Sequence, residues 1–224
     1  MKKRKSVKET GGAPRRRPVS EAARQAILEA AAQEFAAAGF GGARAQRIAA
    51  RAGVNKALPF YHFGSKSDLY DEVMSQVWEH LGQVLTAHAG STADADTRLR
   101  DLLHNLFEFA SRDPNSLRLL IRELIDDRAR ARDTARDHFI PLLSRLCDII
   151  AARIEQGIIA DLPPVQVVIT LLAEVLFYFL IAPFLEDAGL SQPLSPAALA
   201  ARERIVRRLM AQGYRSPNAP PVEV

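Results

Sequence analysis

The sequence predicts an all-α protein, and three observations lead to that prediction. Apolar residues recur at three- and four-residue intervals through most of the 224 positions, which is the spacing of a buried helix face. Capping residues precede these segments and glycines follow several of them. No segment shows the alternation of apolar and polar residues that is typical of a strand. A hydrophobic fraction of 48% and a charged fraction of 25% lie in the range of soluble globular proteins.

The first 18 residues are basic and carry almost no apolar side chains. Glycines and prolines interrupt the lysine and arginine clusters there, a composition typical of a disordered arm. Residues 1–18 hold eight basic side chains and one acidic side chain. Residues 19–70 hold six basic and four acidic side chains, and residues 71–224 hold sixteen basic and twenty-one acidic ones. This asymmetry indicates that the amino-terminal end binds a polyanion. The arm is either a solubilising tail or an additional contact to that polyanion.

The first helix is predicted to begin after Ser20 and to end near Ala38, before Gly39. Ser20 is a suitable N-cap, and Glu21 stands near the positive end of the helix dipole, where a carboxylate is favourable. The buried face of this helix is predicted to consist of Ala23, Ile27, Ala30, Ala31 and Phe35.

Two short helices joined by a turn are predicted between Arg44 and Lys66. Gly53 follows the first of them, where a helix end commonly needs a positive φ angle. Asn55 is a good N-cap for the second, which is predicted from about Lys56 to Phe63. The first of these two short helices is predicted to bury the apolar residues Ala45, Ile48 and Ala49. Its arginines, Arg44, Arg47 and Arg51, are predicted to face solvent.

This arrangement of two helices and a glycine-containing turn is the unit that places its second helix in the major groove of DNA. Val54 is expected to fill the corner between the helices, and Phe60 and Phe63 are expected in the core of the unit. Pro59 falls inside the predicted second helix. Because proline lacks an N–H and disfavours a helical residue before it, we expect this helix to start later or to be distorted.

The run RIAARAGVNKALPFYHFGSKSDLYDEV resembles the DNA-binding signature of TetR-type bacterial transcriptional regulators, and the resemblance spans roughly Ser20 to Val73. It implies a DNA-binding regulator that holds a small-molecule effector between helices of its larger domain. It also implies a homodimer formed by packing the last two long helices of each copy into a four-helix bundle. Pro59 departs from the family pattern, which usually has an aliphatic residue there.

The expected DNA contacts lie on and beside the second short helix. Asn55 and Lys56 are placed to reach base edges or phosphates, and Tyr61 and His62 resemble a pair with which the family clamps the DNA backbone. Lys66 lies in the first turn of the next helix, where exposed amides favour phosphate. The complete predicted set is Arg44, Arg47, Asn55, Lys56, Ala57, Tyr61, His62 and Lys66.

The rest of the chain is predicted to form a larger helical domain from residue 67 to residue 214, after a DNA-binding domain of residues 19–66. Its first helix opens with a capping box at Ser65 to Asp68 and ends at Gly90. Further helices are predicted over 99–110, from Asp113-Pro114, over 134–156, over 165–185, and from Ser195-Pro196 to Gly213. Pro141 is expected to kink the helix over 134–156 or to shift its start. The polar loop 91–96 and the charged segment 126–137 connect them, and residues 215–224 form a disordered tail.

The segment from Val165 to Leu185 is long and apolar enough to span a bilayer of about 30 Å. A polar stripe that includes Glu174 argues against that placement, because a charge at mid-length is costly in lipid. We therefore expect no membrane span and a helix buried on most sides, partly by a second copy of the chain. The predicted dimer interface consists of Leu172, Leu176, Leu180, Ile205, Val206 and Leu209.

Enzymatic chemistry is not indicated by the sequence. It holds no metal-ligand spacing, no nucleophile–base motif and no phosphate-binding glycine loop, and its five histidines are scattered. We expect no cofactor and no metal. The single cysteine, Cys147, cannot form an intramolecular disulfide and is expected to be a buried thiol, which suits a reducing cytoplasm.

These observations predict a cytoplasmic, homodimeric repressor that binds a palindromic operator and is released by a small-molecule effector. The effector pocket is expected between helices of the larger domain. One alternative is an effector-free DNA-binding adaptor or architectural protein that recruits a protein partner, and another is a helical enzyme or carrier. The residues predicted to line the pocket are Trp78, His104, Phe107, Glu174, Phe177 and Tyr178.

Overall fold

A computed structural model describes residues 21–87, 95–126, 135–190 and 192–217. The predicted basic arm, the Ser20 cap, most of the loop 91–96, most of the charged segment 126–137 and most of the tail lie outside these residues. Within them every regular element is helical, which confirms the all-α prediction. The helices are α1 Glu21–Gly42, α2 Ala45–Arg51, α3 Leu58–Phe63, α4 Lys66–Thr86, α5 Ala95–Arg112, α6 Pro114–Asp126, α7 Ile140–Glu155, α8 Pro164–Asp187 and α9 Pro196–Gly213.

Helix α1 forms the centre of the amino-terminal three-helix domain. Ile27 and Phe35 are completely buried, and the Phe35 ring meets that of Tyr70 from α4 edge-on at a centroid distance of 5.0 Å. Helical geometry is interrupted at Gly39, which has φ 69°, so the regular part of α1 ends where predicted. A non-glycine residue is strained at that φ angle, which explains the glycine at this position.

The turn between α2 and α3 has the predicted geometry. Gly53 has φ 66° and follows α2 directly, while Ile48 and Ala49 are buried against the core. Val54 is half-buried and packs against the same core. The chain therefore reverses on a left-handed glycine, and the apolar face of α2 holds the unit together.

Helix α3 begins at Leu58, two residues later than the predicted start at Lys56. Asn55 is not its N-cap, because its Oδ1 accepts a hydrogen bond from the Ala57 backbone N–H at 3.1 Å and so closes a turn before the helix. Pro59 lies in the first turn of α3, where its missing N–H removes no intrahelical bond. Phe60 is 37% exposed, against the expectation that it lies in the core, whereas Phe63 packs against the core.

Helix α4 begins with the predicted capping box. The Asp68 N–H donates to Ser65 Oγ at 3.1 Å, and the Ser65 N–H donates to Asp68 Oδ2 at 3.0 Å. The helix runs from the DNA-binding domain into the larger domain and buries Leu69, Val73 and Val77 along its length. It ends at Thr86, before the predicted end at Gly90, which lies outside the described residues.

The larger domain packs α5, α6, α7, α8 and α9 around an apolar core. Asp113 caps α6 as predicted, since its Oδ1 accepts from the Ser116 N–H at 3.1 Å. The predicted single helix over 134–156 is instead a π-helical turn, Ala135–Phe139, followed by α7. Pro141 accounts for the change, because it cannot donate to the carbonyl of Asp137 and its ring crowds that carbonyl.

Cys147 lies on α7 and is half-buried. Burial raises the pKa of its thiol, and the neighbouring charge of Asp148 raises it further. The side chain is therefore protonated near neutral pH.

Helix α8 is long and apolar enough to cross a membrane by length and composition, with a mean hydropathy of 2.3 over its most apolar window. In the folded chain it packs Val167, Val168, Leu171, Val175 and Ala182 into the core. Only 28% of that window is buried within one copy, so the expected burial on most sides would require a second copy of the chain. Glu174, the carboxylate at mid-length, is ion-paired with Arg202 of α9.

Candidate DNA-binding surface and ligand cavity

The end of α2 nearest the turn and the whole of α3 form the candidate DNA-binding surface. Lys56 and Ala57 are exposed in the turn before α3, and Tyr61 is 53% exposed on the helix itself. Asn55 is exposed as well, but its side-chain oxygen is held by the Ala57 N–H. Its amide nitrogen is therefore the group best placed to contact a base or phosphate.

His62 differs from its neighbour Tyr61. Its ring is half-buried, it meets the Tyr61 ring edge-on at 5.7 Å, and its Nε2 is buried with no hydrogen-bond partner among the described residues. Of the two residues that resemble the family's clamping pair, Tyr61 is thus the one that presents its side chain to solvent.

A buried carboxylate that sequence reasoning missed holds α2 in place. Glu34 of α1 is 2% exposed, and its Oε1 accepts from the Arg44 backbone N–H at 3.4 Å. The same carboxylate lies 3.7 Å from the Arg47 guanidinium and 4.0 Å from that of Arg51. An acidic residue next to Phe35 on an otherwise apolar face was the signal in the sequence. Arg44 and Arg47 remain exposed, and Glu34 fixes the helix that carries them.

Lys66 joins α4 to the end of α1. Its ammonium lies 3.4 Å from the Gly41 carbonyl oxygen and 4.9 Å from the centre of the Phe40 ring. The side chain is half-buried, so its placement serves the scaffold in addition to any contact with phosphate.

Helix α6 connects the larger domain to the DNA-binding domain, in addition to α4. The Arg122 guanidinium donates to the carbonyls of Ala36 at 3.1 Å and Ala37 at 3.4 Å near the end of α1. Next to it, Glu123 accepts from the Tyr70 hydroxyl of α4 at 2.5 Å. Both Tyr70 and Glu123 are buried. Any movement of α6 is therefore transmitted to α1 and α4 together.

Removing the Tyr70 hydroxyl is expected to destabilise the protein. Tyr70→Phe leaves a buried carboxylate without this donor, which costs about 1–3 kcal/mol of unfolding free energy. Urea denaturation measures the change, and Tyr61→Phe, which removes an exposed hydroxyl, is the matched control. An unfolding midpoint of Tyr70→Phe equal to that of the wild type would contradict the importance of this bond.

The predicted effector-pocket residues do not converge on one cavity. Trp78 is buried and stacks on His138 at 6.3 Å, whereas Phe107 is buried opposite Phe179 at 6.2 Å. Phe177 is 59% exposed and faces away from the protomer core.

The three polar residues of that predicted set lie at the contact of α5 and α8 with α9. His104 Nδ1 is 3.4 Å from a Glu203 oxygen, and Glu174 pairs with Arg202. The Tyr178 hydroxyl donates to the Pro193 carbonyl at 2.6 Å. Burial raises the pKa of this phenol, and the Arg202 guanidinium offsets part of the rise. These groups therefore make contacts that join α5 and α8 to α9 and to the segment before it.

A small cavity lies between α4, α5, α7 and α8. Its volume of about 20 Å³ accommodates little more than one water molecule, and its walls are entirely aliphatic. An effector at this place requires the helices to separate. The lining residues are Leu85, Leu102, Leu103, Leu106, Leu146, Ile149, Ile150, Val168, Leu171 and Leu172.

The residues predicted for the dimer interface divide into three groups by their exposure within one copy. Leu180, Ile205 and Leu209 are each about half exposed, at 46%, 51% and 51%. Leu172 and Leu176 are partly buried within the protomer. Val206 is completely buried in the core of its own protomer, so it faces away from any partner. Adjacent positions on a helix point about 100° apart, which separates Val206 from Ile205.

An exposed short helix that follows a glycine turn and a partner helix with one buried apolar face is the arrangement of a helix-turn-helix DNA-binding protein. Residues 27–73 match the model of the bacterial regulatory proteins of the tetR family, and residues 96–210 match that of the tetracyclin repressor-like C-terminal domain. The chain belongs to the TetR family of bacterial transcriptional regulators.

Two relatives and one solved structure illustrate this membership. The transcriptional repressor NicS of Pseudomonas putida is 29% identical over 109 residues, which span 49% of this chain and 51% of NicS. The regulator RutR of Escherichia coli is 29% identical over 181 residues, 81% of this chain and 84% of RutR. The structure of AibR with isovaleryl coenzyme A and operator DNA aligns over 85% of this chain and 99% of that one, with a TM-score of 0.67. At 21% identity, this last likeness shows a shared fold.

Proposed function

We propose that this protein is a homodimeric transcriptional repressor of the cytoplasm, that it binds a palindromic operator and that a small molecule releases it. The observation that carries the proposal is the exposure of Lys56 and Tyr61 next to helix α2. The buried Glu34 carboxylate holds α2 in place through the Arg44 backbone N–H. We assign residues 19–66 to DNA binding and residues 67–214 to dimerisation and effector binding.

The exposed apolar surface of α8 and α9 supports the homodimer. Its largest side chains are exposed to solvent within one copy. An exposed apolar patch of this kind usually marks an interaction site. A second copy that packs against it would give two α3 helices related by two-fold symmetry, each facing one half of a palindrome. The exposed residues are Ile169, Phe177, Leu180 and Phe184 of α8 and Ile205 and Leu209 of α9.

The attachment of α6 to both α1 and α4 supports the response to a small molecule. A ligand that binds one arrangement of the larger domain better than another shifts the equilibrium between them, and α6 carries that shift to α3 through α1 and α4. AibR has been solved with both an acyl coenzyme A and operator DNA, which supports a ligand-responsive operator complex in this fold.

Selection of binding sites from a random pool of double-stranded DNA tests the proposal. The purified full chain should enrich a sequence with two-fold symmetry whose half-sites lie one helical turn, or a multiple of it, apart. Enrichment of asymmetric sites would contradict the dimeric operator complex. Retention of any DNA without sequence preference would favour the architectural alternative, in which phosphate contacts supply the affinity.

A further inference from the structure

In a single copy, a second and much larger cavity is an open groove between α1, α6 and the carboxyl-terminal half of α8, and its residues Leu180 and Phe184 also belong to the apolar face proposed for the dimer. Its volume is about 610 Å³, within the range of sites for small organic ligands, whereas the aliphatic cavity measures about 20 Å³. The groove is lined by Ala36, Ala37, Ala110, Ser111, Pro114, Leu117, Arg118, Ile121, Arg122, Ile125, Phe179, Leu180, Pro183, Phe184, Leu194 and Leu199.

Among the described residues, the lining is apolar apart from one serine and two arginines, and it includes no carboxylate. Leu117 and Ala110 are buried at its base. Arg118 and Arg122 stand one helical turn apart on α6. This pair lies in a part of the chain, residues 71–224, in which acidic side chains outnumber basic ones by twenty-one to sixteen. The groove is therefore a positively charged, apolar site in an otherwise acidic domain.

The two arginines differ in what they already bind. Arg122 donates to the Ala36 and Ala37 carbonyls of α1. Arg118 is exposed, and the structure gives its guanidinium no hydrogen bond or ion pair with any described residue. A guanidinium with a free planar edge matches a carboxylate in shape and charge, and it binds one through two parallel hydrogen bonds.

We propose that this groove binds a small amphipathic carboxylate. The carboxylate pairs with the Arg118 guanidinium, and the apolar body lies against Leu117, Ile121, Phe179 and Pro183. A neutral or cationic molecule with the same apolar body loses the pairing with Arg118, and a cation is also repelled by both arginines. The charge of the groove thus selects the class of ligand.

The position of the groove gives such a ligand access to the contact between the domains. Ala36 and Ala37 form one wall, and Arg122, which holds their carbonyls, forms part of another. A ligand that binds more tightly when this wall moves would change the position of α1 relative to α6. An effect of this movement on operator binding rests on the proposed function, whereas ligand binding in the groove does not.

Titration calorimetry of the full chain without DNA, with octanoate, octanol and octylammonium as probes, tests the proposal. Octanoate should bind at least about tenfold more tightly than the other two, because only its carboxylate forms charge-assisted hydrogen bonds with the Arg118 guanidinium. Arg118→Ala should remove that preference. Arg145→Ala, which removes an exposed arginine of α7 outside the groove, should preserve it.

A groove-blocking variant gives a second measurement. Ser111 is exposed on the groove wall, so Ser111→Trp should weaken octanoate binding while the helical circular dichroism signal stays that of the wild type. Equal affinity for octanoate and octanol, or octanoate binding unchanged by Arg118→Ala, would overturn the proposal. So would octanoate binding that occurs only in monomeric variants, because a second copy would then occupy the groove.

An operator-binding assay separates this proposal from the proposed function. Failure of octanoate to bind to a protein that still recognises its selected operator removes the groove proposal alone. Binding of octanoate that depends on Arg118 supports the groove proposal whatever happens at the operator. If such binding leaves operator affinity unchanged, release by a ligand at this site is contradicted.

Discussion

Lys56→Ala and Tyr61→Ala are each expected to lower affinity for the selected operator by about thirtyfold or more. Lys56 is exposed immediately before α3 and Tyr61 is 53% exposed on it, so both side chains reach outward from the proposed DNA-binding surface. A contact to a base edge or phosphate contributes about 1–3 kcal/mol, and a dimer loses each contact twice. Fluorescence anisotropy with labelled operator at fixed salt concentration measures the loss.

The two substitutions are expected to differ in their salt dependence. Lys56→Ala removes a charge and should reduce the slope of log affinity against log salt, whereas Tyr61→Ala should leave that slope unchanged. Arg112→Ala is the matched control, because it removes an exposed positive charge from α5, far along the chain from α3. Both variants should keep the dimer and the helix content of the wild type. If both also keep its operator affinity, α3 is not the helix that contacts the operator.

The sequence predicts helix ends well where a cap is made by neighbouring residues. The capping box at Ser65 and Asp68, the Asp113 cap and the cap at Ser195 are all local hydrogen bonds, and the structure shows each of them. Asn55 shows the limit of that reasoning. An asparagine can close a turn or cap a helix with the same oxygen, and Pro59 four residues later decides in favour of the turn.

The sites are less predictable because apolar side chains look alike in sequence whatever they contact. Phe107 and Phe177 both fit a pocket by residue type, yet the first is buried in the core and the second is exposed. Their surroundings depend on helices far away in the chain. The groove beside Arg118 is lined by residues of five separate helices, and no local pattern marks Ala37 and Pro183 as residues of the same groove. Glu34 and Glu123, single acidic residues on apolar faces, are the exceptions that the sequence does signal.

Ile205→Glu combined with Leu209→Glu is expected to convert the protein to a monomer and to lower operator affinity by a factor of a hundred or more. The two side chains stand one turn apart on α9, and each is 51% exposed within a single copy. Glutamates at these positions cost little in the monomer because they remain in water. In a dimer they would be desolvated against apolar groups without a partner charge, which is strongly unfavourable.

The operator affinity falls with the dimer because two linked half-site contacts act at a high effective concentration, an advantage of about 10²–10⁴ that a monomer lacks. Sedimentation equilibrium measures the oligomeric state, and fluorescence anisotropy measures the operator affinity. Ser144→Glu with Ala152→Glu places two glutamates on exposed positions of α7 and should leave both properties unchanged. A dimer that survives Ile205→Glu and Leu209→Glu would show that the exposed face of α9 is not where two copies meet. The two α3 helices would then have to be brought together by another surface of the larger domain.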